Sequence, residues 1–253
     1  MQFWSLRTEN SAYLAYEKAR ELQLQLVDER AHDKIPDTVL FLEHEPVITR
    51  GRGLQRVSRG PGVPSQEPRH MPLPELPPEI VFAESERGGD LTYHGPGQLV
   101  IYPICKLDGQ GIAPDHDVAG FIRKMENLLI EELDERLAAT GARCEGVENA
   151  TGVWVRAKGE ARASKKIASI GIAVRKWVTY HGLALNCVNE LGPFRLISPC
   201  GFSPEVMTRL EDWRPLDLRG WRRDLEMALA VRICSSLPGE SEGRMPVVQT
   251  RVL

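Results

Sequence analysis

Between positions 87 and 98 the chain reads Arg87-Gly88-Gly89-Asp90-Leu91-Thr92-Tyr93-His94-Gly95-Pro96-Gly97-Gln98, and then turns apolar through Leu99-Val100-Ile101-Tyr102-Pro103-Ile104. Glycines let backbone N–H groups approach a ligand closely, and Arg87 and His94 add directed donors that a turn alone does not need. Residues 87–94 are therefore the first candidate for a substrate cradle that feeds a buried strand, with a surface turn as the alternative. A second segment, Lys165-Lys166-Ile167-Ala168-Ser169-Ile170-Gly171, brings a lysine to the point where the chain enters an apolar strand. Soon after it, Thr179-Tyr180-His181-Gly182 repeats the tetrapeptide Thr92-Tyr93-His94-Gly95, followed by Leu183-Ala184-Leu185-Asn186. The third is Pro199-Cys200-Gly201. Proline stiffens one side of this cysteine and glycine frees the other, a turn on which a thiol can point into a cavity beside a backbone N–H. The same turn also suits a structural thiol.

These segments need a scaffold, and the chain is long enough to build one. Its 253 residues, 42% hydrophobic and 26% charged, bury a substantial core and fit one domain over 1–253. A net charge of -3 gives no basic excess of the kind that nucleic-acid binding requires. No apolar run approaches the roughly 18 residues of a membrane span, and the N-terminal stretch with Glu9, Asn10 and Glu17 has no signal-peptide core. The expectation is a soluble, cytoplasmic protein with no nucleic-acid or membrane partner. The five cysteines, Cys105, Cys144, Cys187, Cys200 and Cys234, are scattered and never arranged as C-x-x-C, so neither a disulfide framework nor a zinc knot is indicated, and no metal site is expected.

The periodicity predicts a first amphipathic helix over 12–29 behind Asn10 and Ser11 as possible caps, and a strand Val39–Leu42 that delivers Glu43-His44-Glu45-Pro46 and Arg50-Gly51-Arg52-Gly53 into a loop. Dense proline, glycine and arginine predict an irregular excursion at about 55–78. Order resumes with residues 79–82, the glycine loop and a strand 98–104. The longest helix follows, capped by Asp115 or Asp117, carrying the stripe Val118, Phe121, Ile122, Met125, Leu128, Leu129 and Leu133, with Gly141 suiting its C-terminal turn. That stripe reads as core. Segments 144–148, 152–156, 167–174 and 178–188 have strand character and turn-rich links, which points to hairpins. A helix start at Ser203-Pro204, a last helix through Trp221, Leu225, Leu229 and Ile233, and a polar tail after about 238 complete an α+β chain with a mixed, largely antiparallel sheet flanked by helices.

Taken together, Glu43-His44 with Pro46-Val47, Arg87-Gly88-Gly89 with Thr92 through Gln98, and Tyr102-Pro103 resemble the lipoyl(octanoyl) transferase family. So do Lys166-Ile167-Ala168 with Gly171, His181 through Asn186, and Pro199-Cys200-Gly201 with Met207-Thr208. The pieces stand in family order over roughly residues 10–215. Three features depart from the pattern. The excursion after Gly53 is longer, Asn189-Glu190-Leu191 replaces a more usual Asp-Leu pair, and the tail after about 238 matches no family feature.

The resemblance implies the biotin/lipoate protein ligase catalytic fold with one acyl pocket. It implies an acyltransferase that takes an octanoyl group from octanoyl-acyl carrier protein, through a Cys200 thioester, to the lysine of lipoyl domains. The implied acceptors are 2-oxoacid dehydrogenase complexes and the glycine cleavage H protein, and no cofactor is implied. Lys166 is the implied partner of Cys200. An ammonium about 4 Å from a thiolate at an effective dielectric near 20 is worth roughly 4 kcal/mol, in the direction that favours the thiolate. The implied substrate-binding residues are Arg87, Gly88, Gly89, Asp90, Leu91, Thr92, Tyr93 and His94, with Ser169, Ile170, Gly171, Gly182, Leu183 and Ala184. His94 and His181 then orient loops or hydrogen-bond substrate, since Lys166 fills the role of base. Two alternatives stay open. An ATP-dependent lipoate or biotin ligase is suggested by the likeness of Arg50-Gly51-Arg52-Gly53 to a biotin-ligase nucleotide loop, and the other is a non-catalytic acyl-binding protein.

Overall fold

The computed structural model describes residues 1–53, 75–112, 115–159, 164–197, 203–217, 219–237 and 245–253. Its elements in chain order are β1 (Gln2–Arg7), β2 (Tyr13–Leu14), α1 (Tyr16–Ala31), β3 (Thr38–His44), β4 (Val47–Gly53), β5 (Val81–Glu84), β6 (Gly89–His94) and β7 (Gln98–Ile104). They continue with α2 (Val118–Leu137), β8 (Arg143–Gly146), β9 (Gly152–Arg156), β10 (Lys165–Arg175), β11 (Val178–Asn186), α3 (Trp221–Ser235) and β12 (Val248–Val252).

The main sheet runs β12-β1-β3-β7-β11-β10-β9-β8, with β2 pairing β3 off this path. From β3 through β8 every neighbouring pair is antiparallel, and only β12, β1 and β2 join in parallel. Both faces are covered. On β3, Val39 and Phe41 face the cluster shared with α2 and α3, whereas Leu40 and Leu42 face the cluster shared with α1. β7 and β11 divide in the same way, Leu99 and Ile101 from Val100 and Tyr102, and Leu183 and Leu185 from Ala184. A strand buried on both faces reads as a continuous apolar run, which is what the sequence shows at β3 and β7. The stripe on α2 is core as expected, with Phe121, Met125, Leu128, Leu129 and Leu133 buried, and Asp117 caps that helix by accepting from the Gly120 N–H at 2.7 Å.

A second, three-stranded sheet, β5-β4-β6, stands over its own cluster of Ile48, Ile80, Leu91, Tyr93, Phe194, Ile197 and Met207. Two sequence expectations change here. Arg50-Gly51-Arg52-Gly53 is part of strand β4, and residues 89–94 of the expected loop are strand β6, antiparallel to it. Glycine-rich strands hide their β character, because composition registers the freedom of the backbone and not the partner that uses it.

The first helix starts at Tyr16 and not at 12, with Ala15 at its N-cap and no side-chain cap. Residues 13–14 are held extended by parallel pairing with Glu43 and His44, and Ser11 instead accepts from the Tyr13 N–H through its hydroxyl at 3.0 Å. The expected helix at Ser203-Pro204 is one short 3-10 turn, Pro204–Val206. Residues 54–74 of the Pro-rich excursion lie outside the described residues, as do 238–244. Beyond them, where no element is expected, β12 adds a parallel edge strand to β1. Among the described residues no helix is long and apolar enough to cross a membrane.

Candidate active site

The cleft forms where the small sheet meets the β10/β11 hairpin. The Gly88 N–H donates to the Ile172 carbonyl at 3.2 Å, seating the start of β6 on β10. Gly171 and Gly182 are directly opposed in that hairpin, so the floor there carries no side chain. A Cβ at Gly171 would come within 2.8 Å of the Gly88 carbonyl oxygen and 3.2 Å of Arg87 Cδ, and only glycine permits that approach.

The cleft is lined by Tyr16, Arg87, Gly88, Thr92, His94, Tyr102, Lys166, Ser169, Ile170, Gly171, His181, Gly182, Leu183 and Ala184. Three segments far apart in sequence, around 87–94, 166–171 and 181–184, are thus brought to one place. The period of two along β6 sorts the rest of the expected set. Thr92 and His94 face the cleft, while Leu91 and Tyr93 are buried in the small sheet's cluster. Gly89 and Asp90 do not line the cleft either. The Asp90 carbonyl accepts from Arg87, and a Cβ at Gly51 would lie 2.3 Å from the Gly89 carbonyl oxygen. Cys200 lies outside the described residues.

Arg87 is buried and its guanidinium fastens the site. Nε and Nη2 donate to Thr49 Oγ1 at 3.1 and 2.8 Å, Nη2 also to the Thr49 and Asp90 carbonyls at 2.7 Å, and Nη1 to the Gly88 carbonyl at 3.0 Å. These bonds tie β4 to β6 and shape the glycine turn.

Lys166 enters the cleft from β10, 3% exposed. Its Nζ donates to the Thr151 carbonyl at 2.8 Å and stands 5.4 Å from the centroid of Trp154, an ammonium over an aromatic face. Adjacent Lys165 points to solvent. A bulge in the β10/β9 pairing between Lys166 and Ala168 sets this direction, and Lys166 also pairs with Met207. Gly152 makes the room. With φ at 131°, it would carry a Cβ 2.4 Å from the Ala168 carbonyl oxygen and 2.7 Å from Lys166 Cε. Gly152→Ala is therefore expected to displace Lys166 and reduce turnover by about 100-fold, the scale associated with a misplacement near 1 Å. Steady-state kinetics of the folded variant check this, and wild-type turnover would show that Lys166 does not depend on that space.

A buried group of rings closes the cleft on the α1 side. His44 donates from Nδ1 to the Leu14 carbonyl at 2.9 Å and accepts the Tyr102 hydroxyl at Nε2, 2.7 Å away. Burial holds its pKa down at about 4, so it is neutral near pH 7. His181 has φ of 54°, which turns its ring out of strand alternation and onto the Tyr16 and Tyr102 side, 6.4 and 6.1 Å between centroids. Its Nε2 lies 3.3 Å from Glu86 Oε2, and Arg20 pairs with the same carboxylate. Bonding to His181 and Arg20 keeps Glu86 well below the usual carboxylate range, while burial outweighs Glu86 and lowers His181. Tyr16 and Tyr102 as lining residues, and His44 and Glu86 behind them, are absent from the expected set, whereas His181, expected to orient loops or hydrogen-bond substrate, does line the cleft. Tyr16 reads in sequence as part of the apolar stripe of the first helix and Tyr102 as part of a buried strand.

Three of the described thiols, Cys105, Cys144 and Cys187, are buried and not activated. Burial pushes Cys105 and Cys187 well up and Cys144 to about 12. Among the described residues no group of three or more His, Cys, Asp or Glu is placed to hold a metal ion.

Comparison with known proteins agrees with this architecture. Residues 15–228 match the lipoyl protein ligase A/B catalytic domain family. An octanoyltransferase of Geobacter metallireducens is 36% identical over 239 residues, 94% of either chain. One from Mycolicibacterium smegmatis is 37% identical over 92% of this chain and 88% of its own length. Among solved structures, a bi-partite lipoate protein ligase from Thermoplasma acidophilum superposes with a TM-score of 0.55 at 15% identity, covering all of this chain and 88% of that one, a likeness of fold. The chain belongs to the lipoyl protein ligase A/B catalytic domain family and, within it, stands with the octanoyltransferases.

Proposed function

We propose that this enzyme transfers an octanoyl group from octanoyl-acyl carrier protein to the Cys200 thiol, and from there to the lysine amine of a lipoyl domain. The acceptors in this reading are the lipoyl domains of 2-oxoacid dehydrogenase complexes and the glycine cleavage H protein, in the cytoplasm. The observation that carries it is Lys166, an ammonium group brought almost wholly out of water to the wall of a cleft floored by opposed glycines. Taking an ammonium out of water is costly, and a thiolate beside it would offset part of that cost while gaining nucleophilicity. The segment flanking Cys200 supports the pairing. Ile197 and Met207 are both buried in the small sheet's cluster, and the Thr208 N–H donates to the Lys166 carbonyl at 3.0 Å.

In the reaction, the thiolate attacks the thioester carbonyl and the carrier's thiol leaves with a proton supplied by Lys166. The acceptor amine then attacks the acyl-cysteine, forming the amide N–C bond and breaking the C–S bond, and its proton returns through Lys166 to the departing sulfur. Thioester exchange is close to thermoneutral, so no ATP is consumed. The relatives named octanoyltransferase support the acyl chain length, and the Thermoplasma ligase, described with its E2 lipoyl domain, supports the class of acceptor.

The test is intact-protein mass spectrometry after mixing the enzyme with octanoyl-acyl carrier protein without ATP, alongside Cys200→Ala. One added octanoyl group on the wild type alone is the expected result. An adduct that requires ATP and free octanoate would assign a ligase instead.

A further inference from the structure

The amides behind His94 determine which nitrogen of its ring carries hydrogen. Gln98 Nε2 donates to the Tyr93 carbonyl at 3.2 Å and to Asn186 Oδ1 at 2.9 Å. Asn186 is oriented in turn, its Nδ2 donating to the Thr208 carbonyl at 3.0 Å while its Oδ1 also accepts from Asn189 Nδ2 at 3.2 Å. Carbonyl oxygens only accept, so turning Gln98 over would set its oxygen against two others. Gln98 Oε1 therefore faces His94 Nδ1, 2.7 Å away, and Nδ1 must be the protonated nitrogen. Nε2 is then the lone-pair nitrogen of a neutral ring.

Burial, together with His44, Arg87 and His181 around it, keeps the His94 pKa well below its ordinary value, in line with a neutral ring. His94 lines the cleft with Lys166 and Tyr102, and its Nε2 has no hydrogen-bond partner among the described residues. The neighbouring imidazole is used differently, because His44 Nε2 is occupied by the Tyr102 hydroxyl. The amide ladder also reaches the base. Thr208 accepts from Asn186 and donates to the Lys166 carbonyl, so one strut sets both the ring state of His94 and the backbone that carries Lys166.

We infer that His94 offers Nε2 as the hydrogen-bond acceptor that orients the amine nucleophile in the cleft, and that Gln98 and Asn186 are positioning residues that hold it in the Nδ1–H form. The inference rests on the acyl-transfer reading above. Of the groups in that reaction, the thioester carbonyl accepts and the acyl chain does neither. A primary amine must aim its lone pair at the carbonyl carbon while its N–H groups bond elsewhere, and a fixed acceptor on the cleft wall provides that direction.

Two measurements test it. Long-range proton–nitrogen correlation NMR of histidine-labelled enzyme, with His94 assigned by the His94→Asn variant, needs no substrate. It is expected to show Nδ1 protonated and Nε2 bare, and an Nε2-protonated or charged ring at neutral pH would overturn the inference. The second compares His94→Gln, whose side-chain oxygen falls near the position of Nε2, with His94→Asn, whose amide keeps only the bond to Gln98. Amide formation as a function of acceptor-domain concentration is expected to be within about tenfold of wild type for Gln and about 100-fold lower in kcat for Asn, on the scale of a lost catalytic contact. Equal losses in two folded variants, or a loss confined to KM, would remove the orienting role. If wild-type enzyme forms no octanoyl amide at all, the acyl-transfer reading fails, while the NMR result still decides the tautomer.

Discussion

Lys166→Ala is expected to lower octanoyl transfer by about three orders of magnitude, while Lys165→Ala retains essentially wild-type turnover. The two lysines are consecutive and chemically identical, and the strand separates them. Lys165 lies on the solvent side, whereas Lys166 is 3% exposed with its ammonium 2.8 Å from the Thr151 carbonyl and over Trp154. Alanine at 166 removes the charge that the acyl-transfer reading assigns to activating the thiol. It also leaves the Thr151 carbonyl without its donor, so thermal melts must accompany the kinetics to separate inactivity from unfolding. Rate constants for transfer to a lipoyl domain, with intact-mass detection of the acyl-enzyme, provide the readout. Comparable activity in both variants would remove Lys166 from the chemistry.

Acidification should destabilise the fold well before its carboxylates titrate. Both ring nitrogens of His44 are committed in the neutral form, Nδ1–H to Leu14 and Nε2 to the Tyr102 hydroxyl, and burial holds its folded pKa at about 4 against about 6.5 unfolded. The unfolded chain therefore binds the proton more readily. The stability tied to neutral His44 is fully present above pH 6.5 and is lost as pH falls from there toward 4. The full loss is about 3 kcal/mol, of which about 2 kcal/mol has gone by pH 5. His94 and His181, also lowered mainly by burial, act with the same sign. Glu86, held below the carboxylate range, contributes stability that is lost only at lower pH. Chemical denaturation at pH 7.5 and 5.0 is expected to show this fall, and His44→Gln, which keeps a neutral donor and acceptor, is expected to flatten it. A midpoint unchanged or rising on acidification would contradict the assignment of His44 as a buried neutral ring.

Reading the chain in sequence locates the elements well where local pattern carries the information. The strand at 98–104, the stripe on α2 and the four segments that become β8 to β11 are set by apolar periodicity and turn residues, which act over a few positions, and of the two cap candidates Asp115 and Asp117 the fold uses Asp117. The pattern is less informative where a distant partner overrides it. Residues 13–14 are extended because β3 pairs with them 30 positions away, and 89–94 form a strand because β4 lies beside them. The edge strand β12 has no apolar alternation of its own and exists by pairing with β1.

For the site, residue types alone select Arg87, His94 and the glycines that surround them, because these are groups that a bare turn does not require, whereas Lys166 is preferred to Lys165 only through the family resemblance. Their division of labour is decided only in the folded chain. Arg87, read from sequence as a donor for substrate, is turned inward onto Thr49, Gly88 and Asp90. Leu91 and Tyr93 are withdrawn from the cleft by strand alternation, and Tyr16, Tyr102 and His181 are brought to it from α1, β7 and β11. Residue type and spacing set the composition of the apolar layers and supply the glycines that allow close backbone approach, but not which of the two lysines goes inside. Tertiary structure alone decided the direction of each side chain, the tautomer of His94 and the burial that keeps these rings neutral. Those properties depend on neighbours supplied by remote segments, and local sequence holds no record of them.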